Sequence, residues 1–308
     1  MGRRKTGQPI HGWVVLDKPL GLSSAAAVAK VRRGLDAAKA GHGGTLDPLA
    51  SGVLPIALGE ATKTVSYVMD GAKSYRWELC WGEERDSCDA EGAVVACSER
   101  RPSADEIAAA LPAFLGEIDQ VPPIFSAVKV DGRRAYDLAR NDLPVVLESR
   151  RVRIDRFDLV EAGPDRAVFV TDCGKGTYIR SLARDLAHRL GGLGYVSMLR
   201  RTRCGPFREE NAICLDKLAE FGHSAASATI VLPVETALDD IPALALTEDE
   251  ANRLRSGQTL PISRLTVPFA FPLPATGGCT VRAMEGKRVV ALARVEDALL
   301  RPIRVLNL

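Results

Sequence analysis

The chain has little of what metal sites, disulfide scaffolds and membrane spans require. Four histidines and seven cysteines are spread over 308 residues, and no C-x-x-C pair occurs. Cys80, Cys88, Cys97, Cys173, Cys204, Cys214 and Cys279 are odd in number and share no spacing with the histidines, which argues against a disulfide framework and a zinc centre. No apolar run is long enough to span a bilayer, and the N-terminus lacks the apolar core of a signal peptide. The expected setting is the reducing cytoplasm, with no membrane contact. Neither G-x-x-x-x-G-K-S/T nor G-x-G-x-x-G is present, which removes the usual phosphate cradles of nucleotide hydrolysis and dinucleotide cofactors.

What is present is an ordinary globular composition, 46% hydrophobic and 26% charged, which excludes wholesale disorder. The length suffices for one large domain and a small one. A net charge of +2 points to no particular partner, but the distribution is uneven. From Lys129 to Arg208 there are 17 lysines and arginines against 10 acids, whereas Glu209 to Glu250 holds ten acids and only Lys217. The basic block suits a phosphate footprint, although a solvated charged surface is the simpler reading of charge taken alone. Arg3, Arg4 and Lys5 form a short basic arm at the N-terminus.

Periodicity gives the elements. Trp13 to Leu16 reads as a buried strand, and Ser23 or Ser24 caps a helix to about Leu35 whose apolar stripe is Ala27, Val28, Val31 and Leu35. Gly41 to Gly52 reads as a loop, Val53 to Leu58 as a strand and Ala61 to Met69 as a helix. Lys73 to Trp81 alternates, placing Tyr75, Trp77, Leu79 and Trp81 on one strand face. Ser103 and Glu106 form a capping box for a helix to about Leu115. The Asp131-Gly132 turn leads into a helix from about Arg134. Val152–Val160 and Ala167–Asp172 form a hairpin, Tyr178 to Leu190 a helix ended by Gly191-Gly192, and Tyr195 to Arg203 a strand. Hairpin signals interleaved with helices predict a mixed α/β (α+β) fold with a largely antiparallel sheet. After Asp240 a helix, Glu248 to Arg255, precedes short β-like segments at Thr280–Met284, Arg288–Arg294 and Ile303–Leu306. That texture predicts a small C-terminal β module joined by a linker near Ala237–Pro242.

Two glycine-rich stretches hold the candidate chemistry. In Gly41-His42-Gly43-Gly44-Thr45-Leu46-Asp47-Pro48 the glycines permit close backbone approach, His42 offers a ring and Asp47 a carboxylate. On Asp47-Pro48 alone, a helix N-cap before a first-turn proline is the simpler reading. Gly174-Lys175-Gly176-Thr177-Tyr178-Ile179-Arg180 places Lys175, Tyr178 and Arg180 around a turn into a helix, where free N–H groups favour anions; a plain glycine turn explains it as well. Tyr75 is by default a core aromatic, yet an aromatic near a strand end also stacks on bases.

Five motifs, in order, narrow these alternatives. They are Asp17-Lys-Pro-x-Gly-x-Ser-Ser24, Gly41-His-x-Gly-Thr-Leu-Asp-Pro-Leu-Ala50, Gly59-Glu-Ala-Thr-Lys63, Pro123-x-x-Ser-Ala127 with Lys129, and Gly174-Lys-Gly-Thr-Tyr-Ile-Arg180. From about Gly12 to about Phe207 the chain closely resembles the TruB-type tRNA pseudouridine synthases, which modify uridine 55 in the T loop of tRNA. One departure is visible: the family usually carries threonine after the motif histidine, where this chain has Gly43.

The resemblance implies a catalytic pseudouridine synthase domain over residues 11–238, after a basic arm at 1–10, and a PUA-like RNA-binding module over 239–308. It implies Asp47 as nucleophile, Arg180 as its ion-pair partner, and Tyr178 over the ring close to the chemistry. Tyr75 would stack on the target uracil, Leu199 would contact the base, and His42 would fill the gap left by the flipped nucleotide. The implied substrate is the T stem-loop of tRNA, handled by a monomer. No cofactor is expected, because breaking N1–C1′ and rejoining through C5 oxidises nothing and adds nothing. A synthase acting on another RNA, and a non-catalytic tRNA-folding factor, are the alternatives. The second would have no need of Asp47 together with Arg180 and Tyr178.

Overall fold

The computed structural model describes residues 7–126, 128–130, 132–139, 141, 143, 145–221, 229–267 and 278–308. Arg3, Arg4, Lys5, Ala127 and Asp131 therefore lie outside the described residues. In chain order the first thirteen strands are β1 (Gly12–Lys18), β2 (Ala40–His42), β3 (Ala50–Leu58), β4 (Lys73–Trp81), β5 (Glu83–Arg85), β6 (Val94–Cys97), β7 (Gly116–Gln120), β8 (Lys129–Val130), β9 (Arg133–Arg134), β10 (Arg150–Ala162), β11 (Arg166–Cys173), β12 (Gly194–Cys204) and β13 (Phe207–Arg208). Interleaved with them are α1 (Ser24–Gly34), α2 (Val65–Asp70), α3 (Ala104–Ala110), α4 (Ala135–Ala139) and α5 (Ile179–Arg189), with α6 (Leu215–Phe221) following.

Nine of these strands form one sheet in the spatial order β1-β3-β12-β4-β11-β10-β7, with β2 added to β3 and β13 to β12. Every pairing is antiparallel except β12 with β3, where Leu199, Arg200 and Arg201 lie opposite Ala50, Ser51 and Gly52. That one parallel joint fixes where chemistry can sit. It brings the start of β3, and the Asp47 loop before it, beside Leu199. The neighbour on the other side is β4, with Arg201 opposite Tyr75. Next comes β11, whose final Cys173 pairs with Lys73 and hands the chain to the Gly174 turn. Three sequence-distant segments thus converge at one end of the sheet's central strands.

The core follows the strand alternation. Trp77, Phe157 and Phe169 pack in one cluster with Leu182 and Leu186 of α5, and the Trp77 and Phe169 rings stack at 4.7 Å. Trp77 Nε1 donates to Thr171 Oγ1 at 2.9 Å, so the buried indole keeps its partner. The Ser103–Glu106 capping box is formed, but α3 ends at Ala110 and continues as a 3-10 turn, Leu111–Phe114, entered through Pro112. The expected helix from Ala61 to Met69 is likewise split. A 3-10 turn, Gly59–Lys63, precedes α2, because the Thr64 hydroxyl donates back to Ala61 O at 2.8 Å and closes the turn there. The expected Gly41–Gly52 loop is shorter than read, since its two ends are drawn into β2 and β3.

A second, five-stranded sheet holds β14 (Ala243–Ala245), β15 (Leu260–Pro261), β16 (Cys279–Glu285), β17 (Arg288–Glu296) and β18 (Leu299–Val305) in the order β14-β16-β17-β18-β15. Helix α7 (Glu248–Arg255) packs on it through Ala251 and Leu254. The fold is thus mixed α and β, largely antiparallel, with a β-rich C-terminal part. The segment expected as a linker is not a free tether. Val234, Ala237 and Leu238 are buried with Trp13, Val15 and Phe207 of the first sheet, with Val289 and Leu292 of the second, and with Leu306 just after it.

That shared core yields a stability expectation. Val289, Leu292 and Leu306 are almost fully buried, and each such side chain is worth roughly 1.5–3 kcal/mol of transfer free energy. A chain ending at Asp240 is expected to unfold on the order of 10 °C lower than the full chain in calorimetry. An unchanged transition for the truncated chain would mean that the two sheets are energetically independent.

Candidate functional site

A cleft of about 280 Å³ opens at the convergence of β3, β4, β12 and the start of α5. Asp47, Tyr75, Tyr178, Arg180 and Leu199 all line it. Five of the six residues singled out from sequence therefore share one cavity. His42 is not among its walls. It stands at the end of β2, where burial, and then the charge of Arg201, push its imidazole down and keep it neutral at pH 7.

Asp47 does not cap a helix. Residues 47–50 form a turn into β3, with Ala50 N donating to Asp47 O at 3.0 Å. Its carboxylate meets Arg180 Nη2 at 2.9 Å, with the aspartate side chain 43% exposed and the arginine side chain 6% exposed. The acid faces the cleft while its cationic partner lies beneath. Arg180 is in turn fixed from behind: Nη1 lies 3.3 Å from Asp89 Oδ2 and donates to Ser87 O at 3.0 Å, and Nη2 donates to Phe125 O at 2.9 Å. Removing a guanidinium from water costs several kcal/mol, so two carboxylates and two carbonyls around it are what its burial requires.

Ser87 and Asp89 were not found from sequence. They sit in the turn joining β5 to β6, and Cys88 between them has a left-handed backbone, φ 58°. That conformation costs a non-glycine residue about 1–3 kcal/mol, and it turns the Ser87 carbonyl and the Asp89 carboxylate onto one guanidinium. The signal available was the acid-rich spacing Asp86-x-x-Asp89-x-x-Gly92, in which a Cβ on Gly92 would lie 2.3 Å from Asp86 Oδ1.

The loop bearing Asp47 is held by groups that read as ordinary in sequence. Ser23 is the cap of α1, accepting from Ala26 N at 3.2 Å, which frees Ser24 for another task. The buried Ser24 hydroxyl donates to Leu46 O and accepts from Leu46 N, both at 2.8 Å. Lys18, fully buried, donates to Pro19 O, Leu22 O and Pro48 O at 2.9, 2.6 and 3.3 Å. Burial lowers the Lys18 ammonium to about 8, against the Asp47 carboxylate, which favours the charged form.

The aromatic walls are fixed similarly. Tyr178 N donates to the Oε1 of buried Gln120 at 2.8 Å, setting the entry to α5. Burial pushes both the Tyr178 and Tyr75 phenols upward, so both remain protonated near neutral pH. Lys73 lines the cleft and donates to Val68 O, Met69 O and Gly71 O at the end of α2. Among the described residues no cluster of three or more histidine, cysteine or acidic side chains is arranged to hold a metal ion.

The model of the TruB family pseudouridylate synthase N-terminal domain matches residues 32–179, and that of the tRNA pseudouridylate synthase B C-terminal domain matches residues 180–239. The chain belongs to the TruB family. A protein of Rhodospirillum rubrum named tRNA pseudouridine synthase B is 55% identical over 310 residues, covering 100% of both chains. A protein of the same name from Gluconacetobacter diazotrophicus is 54% identical over 99% of this chain and 100% of its own. Among solved structures, an H/ACA RNP bound to a substrate RNA containing 2'-deoxyuridine holds a chain with TM-score 0.74 and 25% identity, covering 99% of this chain and 91% of that one.

Gly43, where TruB-type proteins usually carry threonine, is buried and packed. A Cβ there would lie 2.8 Å from Val68 Cγ1, 3.2 Å from Val68 Cβ and 3.4 Å from Trp13 Cζ3. Gly43→Thr is therefore expected to destabilise the chain by about 1–3 kcal/mol, the usual cost of overpacking. Val68→Ala should return part of that loss, so a double-mutant cycle in urea should show coupling; strictly additive effects would refute the steric account.

Lys18 supplies a pH test with a definite sign. Its folded value is near 8, whereas an unfolded lysine titrates at about 10.4. Between these values the unfolded chain binds the extra proton, so this group makes folding more favourable as pH rises. The melting temperature of the parent minus that of Lys18→Met is expected to increase from pH 8 to pH 10. A flat difference across that range would show that the ammonium keeps its ordinary affinity for protons.

Proposed function

We propose that this chain isomerises uridine 55 in the T loop of tRNA to pseudouridine, with Asp47 as nucleophile. The observation that carries the reading is the Asp47–Arg180 pair, with an exposed carboxylate on a buried guanidinium at the floor of a cleft walled by two tyrosines. Arg180 aims the carboxylate through the 2.9 Å contact. Asp47 attacks C1′, and the electron pair of the N1–C1′ bond leaves with N1 of the uracil. The detached ring turns between Tyr75, Tyr178 and Leu199, and C5 then bonds to C1′ as Asp47 departs. The C5 proton is lost, a proton is gained at N1, and atoms and charge balance without a redox or nucleotide cofactor.

Flat, largely apolar walls suit a base that must rotate, and the protonated Tyr178 phenol adds a hydrogen-bond donor beside it. C1′ is out of reach inside a folded loop, so the nucleotide has to be extruded at a cost of about a few kcal/mol. The neutral His42 ring, outside the cleft walls, suits stacking in the gap that extrusion leaves. The second sheet, from Ala243 to Val305, is proposed as a PUA-like RNA-binding module, packed against the catalytic sheet instead of tethered to it. Residues 11–238 then form the catalytic domain, acting as a monomer in the cytoplasm. Likeness to a chain of an H/ACA RNP raises the alternative of another RNA substrate. The higher identity to proteins named for tRNA, over full length, favours tRNA.

Asp47→Asn separates chemistry from folding, because asparagine keeps the size and removes the charge. The variant is expected to fold and to bind tRNA, yet to form no pseudouridine in single-turnover assays with enzyme in excess. The site is checked by mapping modification at single-nucleotide resolution on unmodified tRNA. Residual turnover within about tenfold of the parent, in protein free of contaminating synthase, would remove Asp47 from the mechanism.

A further inference from the structure

The cleft contains a buried cation that the mechanism above does not use. Arg201 is only 1% exposed, and among the described residues no carboxylate pairs with it. Its three nitrogens reach backbone carbonyls instead: Nε donates to Val53 O at 2.8 Å, Nη2 to Gly44 O at 3.0 Å and Nη1 to Thr45 O at 3.4 Å. Gly44 and Thr45 are the third and second residues before Asp47, and Val53 lies in β3, six residues after it. One guanidinium therefore spans both sides of the loop that presents the carboxylate.

The surroundings are built to admit this side chain. Gly44 has φ 140°, and a Cβ there would lie 3.4 Å from Arg201 Nη1. Gly52 has φ 98°, and a Cβ there would lie 2.2 Å from Arg201 O, so β3 and β12 approach too closely for any side chain at that position. Arg201 also stands opposite Tyr75 in the β12–β4 register, with its charge against the Tyr75 phenol. A buried charge without a counter-charge is costly, and hydrophobic residues of similar volume would serve stability at least as well. A role in stability alone therefore does not account for an arginine here.

We propose that Arg201 is a positioning residue for the isomerisation, one that sets the Asp47 carboxylate by clamping Gly44 and Thr45 to β3. The proposal rests on Asp47 being the nucleophile. The clamp uses three separate nitrogens of a planar fork to span Val53, Gly44 and Thr45, whereas lysine carries its three donors on one nitrogen and cannot reproduce that spread. It acts on geometry at the attacking oxygen, where a displacement of about 1 Å costs on the order of a hundredfold in rate.

The test measures single-turnover pseudouridine formation, tRNA affinity and thermal unfolding for the parent, Arg201→Lys and Arg201→Ala. Arg201→Lys is expected to lose on the order of a hundredfold in rate, with tRNA affinity changed by less than about threefold. Arg201→Ala is expected to regain part of its rate when methylguanidinium is added, and not when methylammonium is added. Rescue of rate in folded protein is a response that a purely structural arginine would not give. If Arg201→Lys fails to fold, the rescue of Arg201→Ala decides alone. A rate for Arg201→Lys within about twofold of the parent overturns the proposal, as does equal rescue by both cations. Failure of the parent itself to form pseudouridine would refute the functional reading, and is distinguished from these outcomes by that control.

Discussion

Arg180 is the point from which the rest of the site is arranged. Its guanidinium is buried at the start of α5 and is compensated by Asp47 on the cleft side and Asp89 behind, with the Ser87 and Phe125 carbonyls completing its shell. Such a group is stable only while all its partners stay in place, since a buried charge that loses one partner typically costs about 3–5 kcal/mol. Three separate stretches of chain are thereby held to one side chain. The parallel β12–β3 joint supplies the frame, and Arg180 supplies the reason that the frame has to close.

The Asp47 loop shows how much fixed structure a glycine-rich segment needs before it is useful. Ser24 holds both backbone groups of Leu46, Lys18 holds Pro48, and Arg201 holds Gly44 and Thr45. Each anchor comes from a different element, and each donates to backbone, so the side chain of Asp47 is left free to face Arg180 and the cleft. A loop anchored in this way holds its geometry at the expense of local stability. The cost appears as a left-handed cysteine, buried cations and a glycine, Gly43, with no room for a side chain.

The second sheet belongs to the same physical unit as the first. Trp13 and Phe207 meet at 5.1 Å in the cluster that also buries Val289, Leu292 and Leu306. Helix α2 lies in this junction through Val68 and also lines the cleft through Met69. The second sheet is therefore placed with respect to the cleft by shared packing and not by a free tether.

The amino-acid sequence alone determined the alternating strand Lys73–Trp81, the β10–β11 hairpin, the capping box at Ser103 and helix α7, because each is set by local periodicity or by hydrogen bonds within a few residues. It also marked Asp47, Tyr75, Tyr178, Arg180 and Leu199, though only through the family resemblance that five motifs carry together, since Asp47-Pro48 alone reads as a helix cap. Tertiary structure decided that Asp47 faces Arg180, that Asp89 and Ser87 stand behind it, and that Ser24, Lys18 and Arg201 serve the loop. Those pairings join residues 22 to 157 positions apart, and no local pattern encodes a partner at that distance. It also decided that residues 234–238 are core and not tether, because burial there depends on two sheets meeting, which composition does not reveal.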